Sequence, residues 1–158
     1  LNLLDSHDTL RFYTEVNTSK EKYKCAMAIL FVYLGAPCIY YGDEVGSYGY
    51  KDPWNRFPYP WGHRDKELLA FYRAIGKAHN SAPHLAKANY RFISSNNNVI
   101  VYERTWKKAI YRICVNLSDT TQPFPISNSF KNQHVIFSTK HSNIKGLLPF
   151  GAIVVANC

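Results

Sequence analysis

Residues 36–46 of the chain have the sequence APCIYYGDEVG. Its centre, Cys38–Tyr41, is an apolar run with aromatic and branched side chains, and Pro37 and Gly42 bound it. A short strand without polar alternation is typical of a sheet that is covered on both faces, as in parallel α/β folds. The stretch therefore predicts a buried strand that leads into a polar loop.

A similar unit lies at the start of the chain, where residues 1–12 have the sequence LNLLDSHDTLRF. The apolar run Leu1–Leu4 predicts a strand, and polar residues follow it. Thr18 and Ser19 then offer a helix N-cap, and the apolar segment after them predicts a buried helix that ends near Leu34. Two strand–loop–helix units in series indicate part of a parallel α/β architecture.

The loop after the second strand, Gly42–Gly62, is long for a compact domain, and loops of this length tend to carry function. Asp65 predicts the N-cap of another helix, which continues to about His79. From Lys87 onwards the pattern changes to short strands separated by turn residues. These strands are predicted at Tyr90–Ser94, Val99–Arg104, Ala109–Asn116, Val135–Ser138 and Ala152–Val155.

The change of period predicts a domain boundary, with an α/β part at residues 1–86 and an antiparallel β domain at residues 87–158. A composition with 46% hydrophobic and 15% aromatic residues excludes a disordered chain. The net charge of +8 is spread along the sequence without any RNA-binding or helix-turn-helix pattern. The apolar run Cys25–Leu34 falls short of the ~20 residues of a membrane span. We therefore expect no nucleic acid, no membrane and no cofactor, and the cysteine spacing indicates no metal site.

Several stretches resemble conserved regions of the α-amylase superfamily. Residues 3–12 resemble the family's fourth conserved region, at the end of the seventh strand of its barrel. Residues 36–46 resemble the eighth strand and the loop after it, and residues 52–61 (DPWNRFPYPW) resemble the stretch that follows. The sequence SHDTLRF at residues 6–12 is similar to the motif of neopullulanases, cyclomaltodextrinases and maltogenic amylases. Residues 147–155 resemble the closing strand of the family's C-terminal β domain.

The resemblance implies an α/β fold class, with the last two β/α units of a (β/α)8 TIM barrel at 1–86 and an antiparallel β-sandwich domain at 87–158. It implies that the full-length protein is a retaining glycoside hydrolase or transglycosylase. The substrates would be maltodextrins or cyclodextrins, cleaved at α-1,4 or α-1,6 bonds. The family's nucleophile and acid/base lie at the ends of the fourth and fifth strands, which would precede Leu1, so we expect the chain alone to be inactive.

Two neighbouring residues in the first loop match the catalytic machinery of the family. Asp8 resembles its third catalytic carboxylate, which hydrogen-bonds sugar hydroxyls and helps to distort the ring towards the oxocarbenium-like transition state. His7 resembles the histidine that bonds the same sugar. The alternative interpretations are an aspartate that braces the loop or caps a helix, and an ordinary loop histidine.

In the second loop, Asp52 and Arg56 resemble a substrate-binding pair that holds the sugar towards the non-reducing end. The alternative is a salt bridge that only braces the long loop. Arg11 is interpreted first as a structural residue, paired with Asp5 or Asp8, and a substrate contact is its alternative.

Asp43 and Glu44 are not interpreted as a catalytic pair, because adjacent residues at the exit of a strand point to opposite sides. The alternative to an enzyme is a non-catalytic sugar-binding relative, and the presence of all four matched site residues favours the enzyme. The subgroup also implies an α-glucan oligosaccharide as ligand, a cytoplasmic location and a homodimer of the full-length protein. Calcium is compatible with the family, but the sequence contains no ligand cluster for it.

Overall fold

The structure, a computed structural model, describes residues 1–96, 98–125, 134–139, 142–143 and 145–157. The α-helices are α1 (Phe12–Glu15), α2 (Lys20–Val32) and α3 (Lys66–Asn80). Short 3-10 turns occupy Asp43–Val45, Trp54–Arg56 and Pro83–Lys87.

Both predicted helix starts are confirmed by side-chain caps. The Ser19 hydroxyl accepts a hydrogen bond from the backbone N–H of Lys22 at 3.4 Å. The Asp65 carboxylate accepts from the backbone N–H groups of Glu67 at 2.9 Å and Leu68 at 3.0 Å. Each cap satisfies donors of the first helical turn, which have no partner within the helix.

The second half of the chain forms antiparallel strands, as predicted. Their bounds are β1 (Asn89–Asn96), β2 (Val99–Trp106), β3 (Ala109–Asn116), β4 (Gln122–Pro123), β5 (His134–Ser138), β6 (Gly146–Leu147) and β7 (Ala152–Ala156). One sheet has the order β1-β2-β3-β7-β5, and β4 pairs with β6 in a separate two-stranded ribbon. Every strand pair is antiparallel.

Alternate residues of the larger sheet enter different hydrophobic clusters, because successive side chains of a strand point to opposite faces. Ile113 and Val115 of β3 join the cluster that contains the buried residues of α2 and α3. Cys114, between them, joins a second cluster with Leu147 of the ribbon. The helices therefore cover one face of the sheet and the ribbon lies against the other.

The main core crosses the predicted boundary at residue 86, since it joins Phe31 of α2 and Phe71 of α3 to Tyr111 and Val154 of the sheet. The division into an α/β part and a β domain stays a prediction.

The two predicted strands of the first half do not form as regular strands. The segments Leu1–Leu4 and Cys38–Tyr41 are adjacent and parallel, but they share a single bridge between Asn2 and Pro37. In that bridge the Asn2 N–H donates to the Ala36 carbonyl at 2.9 Å, and the Cys38 N–H donates to the Asn2 carbonyl at 2.7 Å.

The prediction of burial on both faces is also wrong for Cys38–Tyr41, because Ile39 and Tyr41 are exposed. A regular parallel ladder needs hydrogen-bonded neighbours along its whole length. These two segments pair with each other at one position.

Candidate active site

The loop that carries the predicted catalytic residue is a tight polar turn. The backbone N–H of Ser6 donates to the Thr9 hydroxyl at 3.0 Å, and the backbone N–H of Asp8 donates to the Ser6 hydroxyl at 3.1 Å. Short side-chain hydroxyls commonly close turns of this kind. The turn leaves the side chain of Asp8 71% exposed, so its carboxylate is open to a ligand.

The four site residues from the sequence analysis lie in one cluster. His7 Nε2 is 3.2 Å from Asp8 Oδ1, and Arg56 Nη2 is 4.0 Å from the same oxygen. Arg56 Nε also lies 3.1 Å from Asp52 Oδ1 and donates to the His7 carbonyl at 3.2 Å. The guanidinium thus links residues that are more than 40 positions apart in the sequence.

Asn55, which was not among the predicted site residues, also lies at this junction. Its side chain is only 1% exposed, and its Nδ2 donates to the carbonyls of His7 at 2.8 Å and Thr9 at 2.7 Å. Its Oδ1 is buried and has no hydrogen-bond partner among the residues that the structure describes. The sequence feature that could have identified Asn55 as a site residue is its position between Asp52 and Arg56 in the second loop.

Arg11 lies next to the cluster, and its side chain points into the interior of the protein. It is 1% exposed, which excludes the alternative of a direct substrate contact in this structure. Its Nη1 is 3.2 Å from Asp43 Oδ1 and donates to the Tyr41 carbonyl at 2.8 Å, and its Nε donates to the Asn55 carbonyl at 2.9 Å. Its guanidinium carbon is 4.1 Å from the ring centroid of Tyr40.

The predicted structural role of Arg11 is therefore confirmed, but the predicted ion-pair partners were wrong. Its ion pair is with Asp43, not with Asp5 or Asp8. The physical reason is that the side chain crosses from the first loop to the second, where a buried carboxyl and two carbonyls can satisfy its donors.

Two carboxyl groups lie buried next to Arg11. The pKa of Asp43 is raised to about 8, mainly by burial and then by the neighbouring charge of Asp5, against the opposing charge of Arg11. Burial also raises the pKa of Asp5, whose Oδ2 accepts from the backbone N–H of Phe12 at 2.6 Å. Like charges in a shared buried site favour retention of one proton by the pair.

Asp43 and Glu44 point into different environments, as predicted for adjacent residues at the exit of a strand. Asp43 is buried, whereas Glu44 is partly exposed and accepts a hydrogen bond from the backbone N–H of Gly42 at 3.0 Å. They do not form a pair that could act together on one bond.

Aromatic rings lie in the same loop as Asp52 and Arg56. Trp54 is 56% exposed and its ring centroid is 5.6 Å from that of Phe57, which is also exposed. Further along the loop, the Tyr59 and Trp61 rings are 4.6 Å apart. Flat apolar faces beside hydrogen-bonding groups suit ligands that are apolar on one face and polar at their edges.

In the described ranges of the chain, no group of three or more His, Cys, Asp or Glu residues is arranged to hold a metal ion. No helix in those ranges has both the length and the apolar character needed to cross a membrane.

The sequence is similar to characterised enzymes over much of its length. A cyclomaltodextrinase from a Bacillus species is 41% identical over 99 residues, which cover 61% of this chain and 18% of the relative. The intracellular maltogenic amylase of Bacillus subtilis is 31% identical over 126 residues, covering 77% of this chain and 21% of the relative. The chain thus spans about a fifth of the length of these curated relatives.

The fold is also similar to solved structures of such enzymes. The maltogenic amylase from S. marinus superimposes with a TM-score of 0.83 at 26% identity, covering 98% of this chain and 22% of that chain. A cyclomaltodextrinase structure gives a TM-score of 0.79 at 28% identity, covering 98% of this chain and 29% of that chain. Residues 1–112 match the family of alpha amylase catalytic domains. Because that match covers most of the sequence, the chain belongs to the α-amylase family.

Proposed function

We propose that this chain is the C-terminal part of a retaining α-glucan hydrolase or transglycosylase, formed by the last two β/α units of its barrel and a β domain. The substrates are maltodextrins or cyclodextrins, cleaved at α-1,4 or α-1,6 bonds. The observation that carries the proposal is the convergence of His7, Asp8, Asp52 and Arg56 in one exposed cluster. The relatives named cyclomaltodextrinase, neopullulanase and maltogenic amylase support the substrate class.

In the proposed mechanism, Asp8 accepts hydrogen bonds from hydroxyls of the sugar ring whose bond is cleaved, and His7 donates to the same sugar. Hydroxyl bonds that strengthen as the ring flattens lower the barrier by several kcal/mol. Asp52 and Arg56 hold an adjacent sugar through acceptors and a fork of donors. The nucleophile and the acid/base, which must lie about 5–5.5 Å apart in a retaining enzyme, belong to other strands of the full-length barrel.

The environment of the cluster supports a sugar ligand. Asp8 and Arg56 keep their polar atoms accessible, with side chains 71% and 47% exposed. The exposed rings of Trp54 and Phe57 lie in the same loop and can stack on the apolar face of a glucosyl ring.

The test uses the full-length protein that carries this chain and compares Asp8→Asn with the unmodified protein on maltodextrins. We expect kcat to fall by at least about 100-fold, because interactions worth several kcal/mol in the transition state are lost. Asp119→Asn, at an exposed aspartate in the turn after β3, is the matched control and should keep full turnover.

Full turnover by Asp8→Asn would contradict the role of Asp8. An unmodified protein that binds maltodextrins without any turnover would instead favour the non-catalytic sugar-binding alternative.

We further propose a cytoplasmic location and a homodimer of the full-length protein. The name of the intracellular relative from Bacillus subtilis supports the location. Cell fractionation and light scattering of the full-length protein would test the two statements.

A further inference from the structure

The side chain of Asn55, in the second polar loop of the site, is hydrogen-bonded to the first polar loop. We propose that Asn55 is a positioning residue for Asp8, which it holds by hydrogen-bonding the backbone carbonyls of the residues before and after that aspartate. This inference rests on the proposed function, in which Asp8 contacts the reacting sugar.

The hydrogen bonds of Asn55 bracket Asp8 in the sequence. Its Nδ2 donates to the carbonyl of His7 at 2.8 Å and to the carbonyl of Thr9 at 2.7 Å. Both acceptors are backbone oxygens, so only the NH2 end of the carboxamide can face them, and the orientation of the amide follows from chemistry. One side chain thereby fixes the backbone before and after the candidate catalytic carboxylate.

Asn55 is itself held from the interior of the protein. Its backbone carbonyl accepts from Arg11 Nε at 2.9 Å, and Arg11 is buried, paired with Asp43 at 3.2 Å. The buried contact between Arg11 and Asp43 therefore helps to hold the backbone from which the Asn55 amide projects.

The hydroxyls of Ser6 and Thr9 also close the backbone of the Asp8 turn, but the carboxylate of Asp8 has weaker restraints. Its side chain is 71% exposed, and its contacts are with His7 at 3.2 Å and Arg56 at 4.0 Å, which are also largely exposed. Arg56 depends on the same peptide, since its Nε donates to the His7 carbonyl at 3.2 Å. A shift of that peptide would displace both the carboxylate and the sugar-binding guanidinium.

The decisive variant is Asn55→Asp in the full-length protein. It has nearly the same shape, but an ionised carboxylate has no donor and would repel the two carbonyls. We expect kcat and kcat/KM on maltodextrins to fall together by about 100-fold, the typical cost of a misplacement near 1 Å. Asn55→Ala removes the donors without adding a charge, and it serves if the aspartate variant does not fold.

The matched control is Asn116→Asp in the β domain. Asn116 is fully buried, and its Nδ2 also donates to backbone carbonyls, those of Thr120 at 2.7 Å and Leu148 at 3.0 Å. This variant should lower the melting temperature, as the Asn55 variants do, but keep the kcat of the unmodified protein per folded molecule. A merely structural role of Asn55 would give the same pattern as the control.

A second readout is the amide hydrogen exchange of the peptide that covers residues 5–12. Exchange should accelerate in Asn55→Ala and remain unchanged in Asn116→Asp. Unchanged exchange, or unchanged kcat per folded molecule in the Asn55 variants, would overturn the proposal. If the unmodified protein shows no turnover, the proposed function fails separately, and the exchange result still decides whether Asn55 holds the Asp8 turn.

Discussion

At the residue scale, Asp5 and Asp43 form a buried carboxyl pair beneath the exposed cluster. The pKa of Asp43 is raised to about 8, mainly by burial and then by the charge of Asp5. Between about pH 4 and pH 8 the folded protein therefore keeps a proton on the Asp5–Asp43 pair that the unfolded chain has released. The stability that this proton contributes is fully present below about pH 4 and is lost as the pH rises towards 8.

Asp43→Asn should remove this pH dependence, because an amide mimics the protonated acid and its oxygen can still accept from Arg11. The free energy of unfolding of the unmodified full-length protein should fall relative to the variant between pH 5 and pH 8. One proton limits the slope of that difference to about 1.4 kcal/mol per pH unit. Denaturant unfolding across this range measures it, with Asp119→Asn as the exposed control. Parallel curves for the unmodified protein and Asp43→Asn would contradict the shared proton.

At the scale of elements, Arg104 of β2 ties the helical layer to the sheet. Its Nη1 donates to the carbonyls of Val32 and Tyr33, each at 2.7 Å, at the C-terminal end of α2. Its Nε and Nη2 donate to the Ala88 carbonyl at 3.2 and 2.9 Å, and Nη2 also donates to the carbonyl of Leu85. A buried cation is tolerated here because carbonyls at helix ends carry partial negative charge.

Arg104→Met should lower the free energy of unfolding by at least about 3 kcal/mol, since it keeps apolar bulk but leaves several buried carbonyls without a donor. Chemical denaturation of the 158-residue chain measures the change. Arg73→Met, on the exposed face of α3, is the control and should stay within about 0.5 kcal/mol. A similar small effect at both positions would show that water replaces the lost donors at no cost.

At the scale of the whole molecule, one core serves both parts of the chain. Phe71 of α3 packs against Phe137 of β5 with ring centroids 5.7 Å apart, and the hydroxyl of Tyr102 in β2 donates to the Ile29 carbonyl of α2 at 2.9 Å. The apolar faces of both helices thus depend on the sheet for burial.

The segment 1–86 expressed alone should therefore be poorly soluble or partly disordered. It would expose the helix faces that the sheet covers, in addition to the exposed side chains of Leu1, Leu3 and Ile39. Size-exclusion chromatography and urea unfolding, with the 158-residue chain as control, measure this. A soluble monomer that unfolds cooperatively would contradict the expectation.

Local features of the fold were predictable from the sequence because they depend on neighbours in the chain. The caps at Ser19 and Asp65 bond backbone groups within three residues, and β3 occupies Ala109–Asn116 as its pattern predicts. The segments Leu1–Leu4 and Cys38–Tyr41 share one parallel bridge and form no regular ladder with each other, because a ladder depends on partners elsewhere in the molecule, which no local pattern reports.

The sequence by itself determined the family motifs, the helix caps and the strand pattern, all of which are encoded in residue types at short spacing. Only the tertiary structure decided that Arg11 pairs with Asp43 and that Asn55 bonds the peptides around Asp8. These contacts join residues 32 to 48 positions apart, and their formation depends on burial and on which donors and acceptors meet when the two loops come together.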